Sequence, residues 1–168
     1  MSRSEGFDEF YQATYSRLVG QLYPITGSLP EAEEVVQEAF VRALARWNHV
    51  RAYDAPEAWV RRVALNLASN QLRRARSRAA ALARLGPTKL QEPPMSGEAA
   101  ALVQALRRLP PSHRQALVLR YALDLPVSEV ARQLGLTPGT VRGRLFRARA
   151  RLRGLLSVKA EEVDSSHG

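Results

Sequence analysis

The run Val127-Ser128-Glu129-Val130-Ala131-Arg132-Gln133-Leu134-Gly135-Leu136-Thr137-Pro138-Gly139-Thr140-Val141 reads as two helices joined by a tight turn. Ala131 is small where two helices would cross closely, and Gly135 can take the positive φ that such a turn needs. Thr137 is placed to cap a second helix opened by Pro138, whose missing N–H costs nothing in a first turn. The pattern is a helix-turn-helix. Its second helix, expected over residues 138–156, buries Val141, Leu145, Ala148, Leu152 and Leu155. Arg142, Arg144, Arg147, Arg149, Arg151 and Arg153 are left on the remaining surface, with no acidic residue among them.

A charge run on a helix is most often a solvated face, and a helix-turn-helix can also be a protein–protein bundle. An arginine set that no neighbouring carboxylate neutralises, on the second helix of this motif, favours DNA. Arginine near the start of a recognition helix reaches guanine edges through a bidentate pair, and arginine further along meets phosphates. Gly143, in mid-helix, costs about 1 kcal/mol relative to alanine. Close approach to DNA would explain that cost, and so would simple drift.

Working back from the motif, Leu117, Val118 and Tyr121 carry one helix. Ala99, Leu102, Val103, Leu106 and Leu109 carry another, which stops at Pro110-Pro111. Residues 85–97 hold Gly86, Pro87, Pro93, Pro94, Ser96 and Gly97 without an apolar period, the signature of a linker.

Before the linker, Phe7, Phe10, Tyr11, Thr14, Leu18, Leu22 and Ile25 stack on one helix face, which Thr26-Gly27-Ser28 ends. Ser28 with Glu31, and Asp54 with Glu57 around Pro56, have capping-box spacing and predict the next two helix starts. The second helix buries Ala32, Val35, Val36, Ala39, Ala43, Leu44 and Trp47, and the third Trp59, Val63, Leu67 and Leu72. Nothing alternates like a strand. The expected fold is all-α: two small helical domains, residues 1–84 and 98–158, joined by the linker and followed by a polar, frayed tail at 159–168.

Two polar faces stand out in the first domain. On the third helix Arg62, Asn66, Asn70 and Arg73 or Arg74 recur at three-or-four spacing, on the side read as away from Trp59 and Val63. Asparagine is a poor helix former, and its amide offers donors and an acceptor to a base edge while arginines bind phosphate. On the second helix Glu34, Gln37 and Glu38 make an acidic face that would repel DNA and suits a basic protein partner. It also suits the positive end of the helix dipole with no partner at all.

Composition sets the bounds. The 168 residues include 25 Lys+Arg against 16 Asp+Glu, a formal charge of +9 and a pI near 10.9, which points to a polyanionic partner, nucleic acid before an anionic membrane. Cysteine is absent, so disulfides and Cys-based zinc sites are excluded. His49, His113 and His167 lie too far apart for metal-ligand spacing, and no cofactor or metal is expected. No apolar run approaches a membrane span, so the expected location is the cytoplasm.

These residues resemble extracytoplasmic-function sigma factors of the sigma-70 superfamily, from about Phe7 to Leu156. Ala32-Glu33-Glu34-Val35-Val36-Gln37-Glu38-Ala39-Phe40 looks like that family's polymerase-binding segment, which makes Glu34, Gln37 and Glu38 contact candidates for bacterial core RNA polymerase. Trp59-Val60-Arg61-Arg62-Val63-Ala64-Leu65-Asn66 resembles the segment that reads and opens the minus-ten promoter element. By that resemblance Asn66 contacts an unpaired base. Arg62, Asn70, Arg73 and Arg74 share the stripe, and Tyr53 lies in the adjoining 50–54 loop. Leu109-Pro110-Pro111, Leu119-Arg120-Tyr121 and the run from Gly139 to Arg149 look like the minus-thirty-five reader, whose contacts fall on Thr140, Arg142, Gly143, Arg144, Phe146 and Arg147. Gly143 stands where relatives often carry a polar side chain.

The resemblance implies a non-enzymatic protein, monomeric when free, with promoter DNA and polymerase as partners and an anti-sigma factor as a further candidate. It also implies the two domains alone, with no added domain of the larger sigma factors. Two other readings compete. A helix-turn-helix regulator would bind operators directly, usually as a dimer, but the chain lacks a phosphate-acceptor pattern. A DNA-processing enzyme would need a carboxylate cluster or a placed nucleophile, and the sequence shows neither.

Overall fold

A computed structural model describes residues 4–82 and 97–165, and the chain divides into two compact units, Met1–Leu90 and Gln91–Gly168. Every regular element among the described residues is helical. The expected linker lies outside the described residues apart from Gly97, as does His167, and the side chains of Leu72, Arg73 and Ala99 are also outside them.

The first unit holds α1 (Phe7–Thr26), α2 (Leu29–Ala45), α3 (Trp47–Val50) and α4 (Pro56–Leu82). Helix α2 packs against both α1 and α4, and the three bury Leu18, Leu22, Ile25, Val35, Val36, Ala39, Val60, Ala64 and Leu65. An aromatic cluster closes one end. Trp47 meets Phe7 edge-on at 5.3 Å, Tyr11 meets Phe40 at 4.9 Å, and the indole Nε1 donates to the Glu5 carbonyl at 2.8 Å. Such edge-to-face pairs set ring orientation as well as burying area. Helix α1 stops where expected, with Gly27 at φ 79° donating its N–H to the Tyr23 carbonyl.

Four expectations for this unit need correction. Ser28 sits at the N-cap of α2, but its side chain makes no capping bond. It is instead bracketed by Thr26, whose hydroxyl donates to the Ser28 carbonyl at 3.0 Å. Glu57 does not turn back to cap α4: its carboxylate takes a two-pronged pair from Arg17 at 2.8 and 2.6 Å and a third bond from Arg61 at 3.4 Å. Arg61 in turn donates to Gln21 at 2.9 Å, so a partly buried ionic net ties α1 to α4. The buried stripe of α4 is also displaced, running through Val60, Ala64, Leu65 and Ala68, while Trp59, Val63 and Leu67 are only half-buried. In α2, Leu44 is exposed, not inward.

The second unit holds α5 (Glu98–Arg108), α6 (Pro111–Leu117), a π turn (Val118–Ala122), α7 (Val127–Leu134) and α8 (Pro138–Ser165). Helix α8 is its spine, packing against α5, α6 and α7 around Leu106, Leu109, Leu117, Leu119, Val130, Val141, Leu145 and Ala148. The turn between α7 and α8 forms as read: Gly135 takes φ 68°, and the Thr140 N–H donates to Thr137 Oγ1 at 3.3 Å. Helix α8 continues to Ser165, nine residues past Leu156, so the expected frayed tail is largely helix. Leu102 and Tyr121, both expected inside, are exposed, and Leu152 and Leu155 are half-buried.

Candidate nucleic-acid and partner surfaces

On α2, Glu34, Gln37 and Glu38 are all exposed, as the helical spacing requires. The Gln37 amide donates to the Tyr15 hydroxyl at 3.1 Å, and Glu38 pairs with Arg42 at 3.2 Å. Facing them across a cleft of about 530 Å³ are Leu67, Asn70, Gln71 and Arg74 of α4. The acidic face and part of the asparagine stripe therefore share one groove.

The cause is rotation. Positions four apart drift by about 40° around an α-helix, so Arg62, Asn66, Asn70 and Arg74 wind from the outer face of α4 toward α2. The stripe divides accordingly. Arg62 and Asn66 stay exposed, and by the same rotation the half-buried Trp59 lies beside them, contrary to the opposite side expected, while the half-buried Val63 falls between Asn70 and Arg74. The signal was present in the sequence, since Trp59 precedes Arg62 by three residues and Asn66 by seven. Tyr53, half exposed, stands on the turn just before α4. Asn70 and Arg74 belong to the groove.

On α8, Thr140, Arg142, Phe146 and Arg147 are exposed, and Gly143 and Arg144 are partly covered. The arginines are not one face. The buried line through Val141, Leu145 and Ala148 separates Arg142, Arg149 and Arg153 on one flank from Arg144, Arg147 and Arg151 on the other. Neighbours mark the flanks. Arg149 donates to the Tyr121 hydroxyl, and Arg120 lies 5.5 Å from the centre of the same ring. The other flank lies by His113 of α6, whose imidazole is held below its ordinary pKa by burial and by Arg151, Arg144 and Arg147. Among the described residues no ion pair engages any arginine of α8. Phe146 is 66% exposed between the flanks.

Sequence reading missed Trp59, His113 and the role of Tyr121. Among the described residues no group of three or more His, Asp or Glu is placed to hold a metal ion, and no helix is long and apolar enough to cross a membrane.

These two units match known families in the same order. The family described as Sigma-70 region 2 matches residues 10–78, and Sigma-70, region 4 matches residues 99–152. The chain is 32% identical to the ECF RNA polymerase sigma factor SigM of Mycobacterium tuberculosis, over 89% of this chain and 76% of that one. It is 29% identical to the RNA polymerase sigma-E factor of Streptomyces coelicolor, over 88% and 84%. In fold it is similar to the sigma factor RpoE of Bartonella quintana, solved with the anti-sigma factor NepR, at a TM-score of 0.75 and 22% identity over 90% of this chain and 97% of that one. It is also similar to CnrH, solved with the cytosolic domain of CnrY, at a TM-score of 0.62 and 26% identity over 93% of each.

A region 2 unit followed by a region 4 unit is the layout of a sigma-70-type transcription initiation factor. The chain belongs to the extracytoplasmic-function sigma factors, and it directs transcription initiation. An operator-binding regulator is not favoured by these matches.

Proposed function

We propose that the two units divide promoter recognition between them, and that residues 1–84 and 98–158 carry one task each. The first docks on core RNA polymerase through Glu34, Gln37 and Glu38, all solvent-facing along one side of α2. A basic partner surface fits this acidic edge, and like charge keeps DNA off it. Arg62 and Asn66, with Tyr53 nearby, take the minus-ten element. Opening DNA costs a few kcal/mol per unstacked step, and capture of the extruded base offsets part of that. Trp59, on the same face, supplies an aromatic surface for stacking. Asn70 and Arg74 continue this region toward the groove, and Arg73 is assigned to the same element by the resemblance alone.

The second unit lays α8 in the major groove of the minus-thirty-five element, with Thr140, Arg142, Gly143, Arg144, Phe146 and Arg147 at the DNA. The observation that carries this is the arginine set of α8, which no described carboxylate engages. Two weak readers held on one polymerase add their affinities through effective concentration. The protein acts as a monomer in the cytoplasm, without catalysis of its own. An anti-sigma factor that covers the acidic groove would silence it.

Run-off transcription with purified bacterial core polymerase on a promoter library tests the proposal. Transcripts that require the protein, fail with Arg142→Ala/Arg147→Ala and fail with Glu34→Lys/Glu38→Lys are the expected result. Tight DNA binding by the protein alone, with no effect of the glutamate substitutions on polymerase binding, would overturn it.

A further inference from the structure

We infer that Gly143 is a positioning residue, setting the base preference of α8 by giving the Arg147 guanidinium its place on the helix. The inference rests on the reading that α8 enters the major groove. Glycine is the poorest helix former after proline, so its presence in the middle of α8 calls for a local reason. The backbone does not supply one, because Gly143 is not among the glycines at positive φ, which among the described residues are Gly6, Gly27, Gly97 and Gly135. Packing against another element does not supply one either. The three nearest heavy atoms that a Cβ on Gly143 would meet all belong to Arg147: Nη1 at 3.4 Å, Nη2 at 3.8 Å and Cζ at 3.9 Å.

The guanidinium of Arg147 thus lies back over the preceding turn, in the direction that helical side chains lean, and rests where a side chain on residue 143 would stand. No carboxylate among the described residues holds it there. The opposite flank differs, since Arg149 is held by the Tyr121 hydroxyl. A planar fork reads guanine only when both of its donors are aimed at the base edge together. The bare Cα of Gly143 is what leaves the Arg147 fork free to lie flat along the outer surface of α8, one turn nearer the helix start.

Two substitutions separate room from mere helix quality. Gly143→Ala adds a Cβ that meets Arg147 at ordinary contact distance and leaves the fork in place. Gly143→Val adds two γ carbons in the space the fork occupies. Neither weakens the helix relative to glycine, so lost folding cannot mimic the outcome.

Base preference is read by run-off transcription with core polymerase on templates randomised through the upstream element. Arg147→Ala first identifies the base pair that Arg147 reads. At that base pair Gly143→Val is expected to cut discrimination by about tenfold, in keeping with the loss of a bidentate contact, while Gly143→Ala keeps the wild-type order of bases. On the Arg147→Ala background Gly143→Val should change nothing further. Unchanged discrimination in Gly143→Val, or a change at a different base pair, would overturn the inference. Absence of any transcript dependent on the wild-type protein would instead count against the promoter-reading proposal beneath it.

Discussion

Arg149 donates through Nη1 to the hydroxyl of Tyr121, 28 residues earlier in the chain, and so ties one flank of α8 to the π turn. Both side chains are exposed, and hydrogen bonds in water contribute little net stability. Tyr121→Phe is therefore expected to lower the unfolding free energy of the protein by less than about 1 kcal/mol. Its larger effect is on Arg149, which loses its tether; affinity for the upstream promoter element should fall severalfold while base preference stays as it was. Urea titration and competition binding of holoenzyme would separate these effects.

The net of Glu57, Arg61 and Gln21 is a different case, because Arg61 is only 9% exposed. Glu57→Gln leaves a guanidinium with a weakened partner in a place from which water is mostly excluded. A loss of about 2 kcal/mol is expected, somewhat below the cost of breaking a fully buried pair. Arg17, on the solvent side of the same carboxylate, should matter far less when replaced by Ala. Equal shifts for the two variants in denaturant would contradict this account.

His113 gives the second unit a pH dependence with a definite sign. Burial and Arg151, Arg144 and Arg147 depress its pKa in the folded protein. The folded state thus binds fewer protons than the unfolded one, and stability falls as pH drops below about 6.5, the ordinary imidazole value. The loss ends once pH passes the depressed folded value. DNA phosphates that neutralise those arginines reverse the trend for binding, because they raise the histidine pKa and draw in a proton. Promoter affinity should strengthen as pH falls below about 6.5, and His113→Ala should flatten that profile at fixed salt.

Salt dependence distinguishes grip from readout along α8. Replacing Arg153, far down the helix, with Ala is expected to weaken binding equally for all sequences and to reduce the slope of log affinity against log salt by about 1. Replacement of Arg142 should instead change which base is preferred. Fluorescence anisotropy of holoenzyme on matched and mismatched upstream elements would show the difference.

Trp59 shares the outer face of α4 with Arg62 and Asn66. Stacking of a base on an aromatic ring is worth about 1–3 kcal/mol, so Trp59→Ala should slow promoter opening by about tenfold or more, with Trp59→Phe recovering much of it. The opening step can be followed with 2-aminopurine placed in the minus-ten element. An unchanged opening rate in Trp59→Ala would remove Trp59 from the melting surface.

The elements were legible where local rules act alone. Gly27 and Gly135 ended helices as their freedom at positive φ allows, and Thr137 capped α8. What the sequence hid was choice among competing partners. Glu57 had the spacing of a cap residue, but Arg17, brought close only by folding, and Arg61, one turn along the same helix, took its carboxylate. Trp59 and Val63 look like core to any count of apolar residues, yet the buried line of α4 runs through Val60, Ala64, Leu65 and Ala68 and leaves both of them half-buried. Of the site, the acidic edge of α2 and the exposure of Arg142 and Arg147 were readable from periodicity. The meeting of Asn70 and Arg74 with Glu34 and Glu38 needed the packing of two helices.

The separation of the α8 arginines into two flanks carries a consequence for how selectivity can change. A major groove is walled by the phosphates of two strands about 12 Å apart, and a helix with Arg149 and Arg153 along one side and Arg151 along the other can hold those walls whatever bases lie below. The ridge between the flanks, at Gly139, Gly143, Phe146 and Ala150, carries no charge. Substitutions on that ridge can retarget the protein to new promoters while its hold on the double helix stays intact.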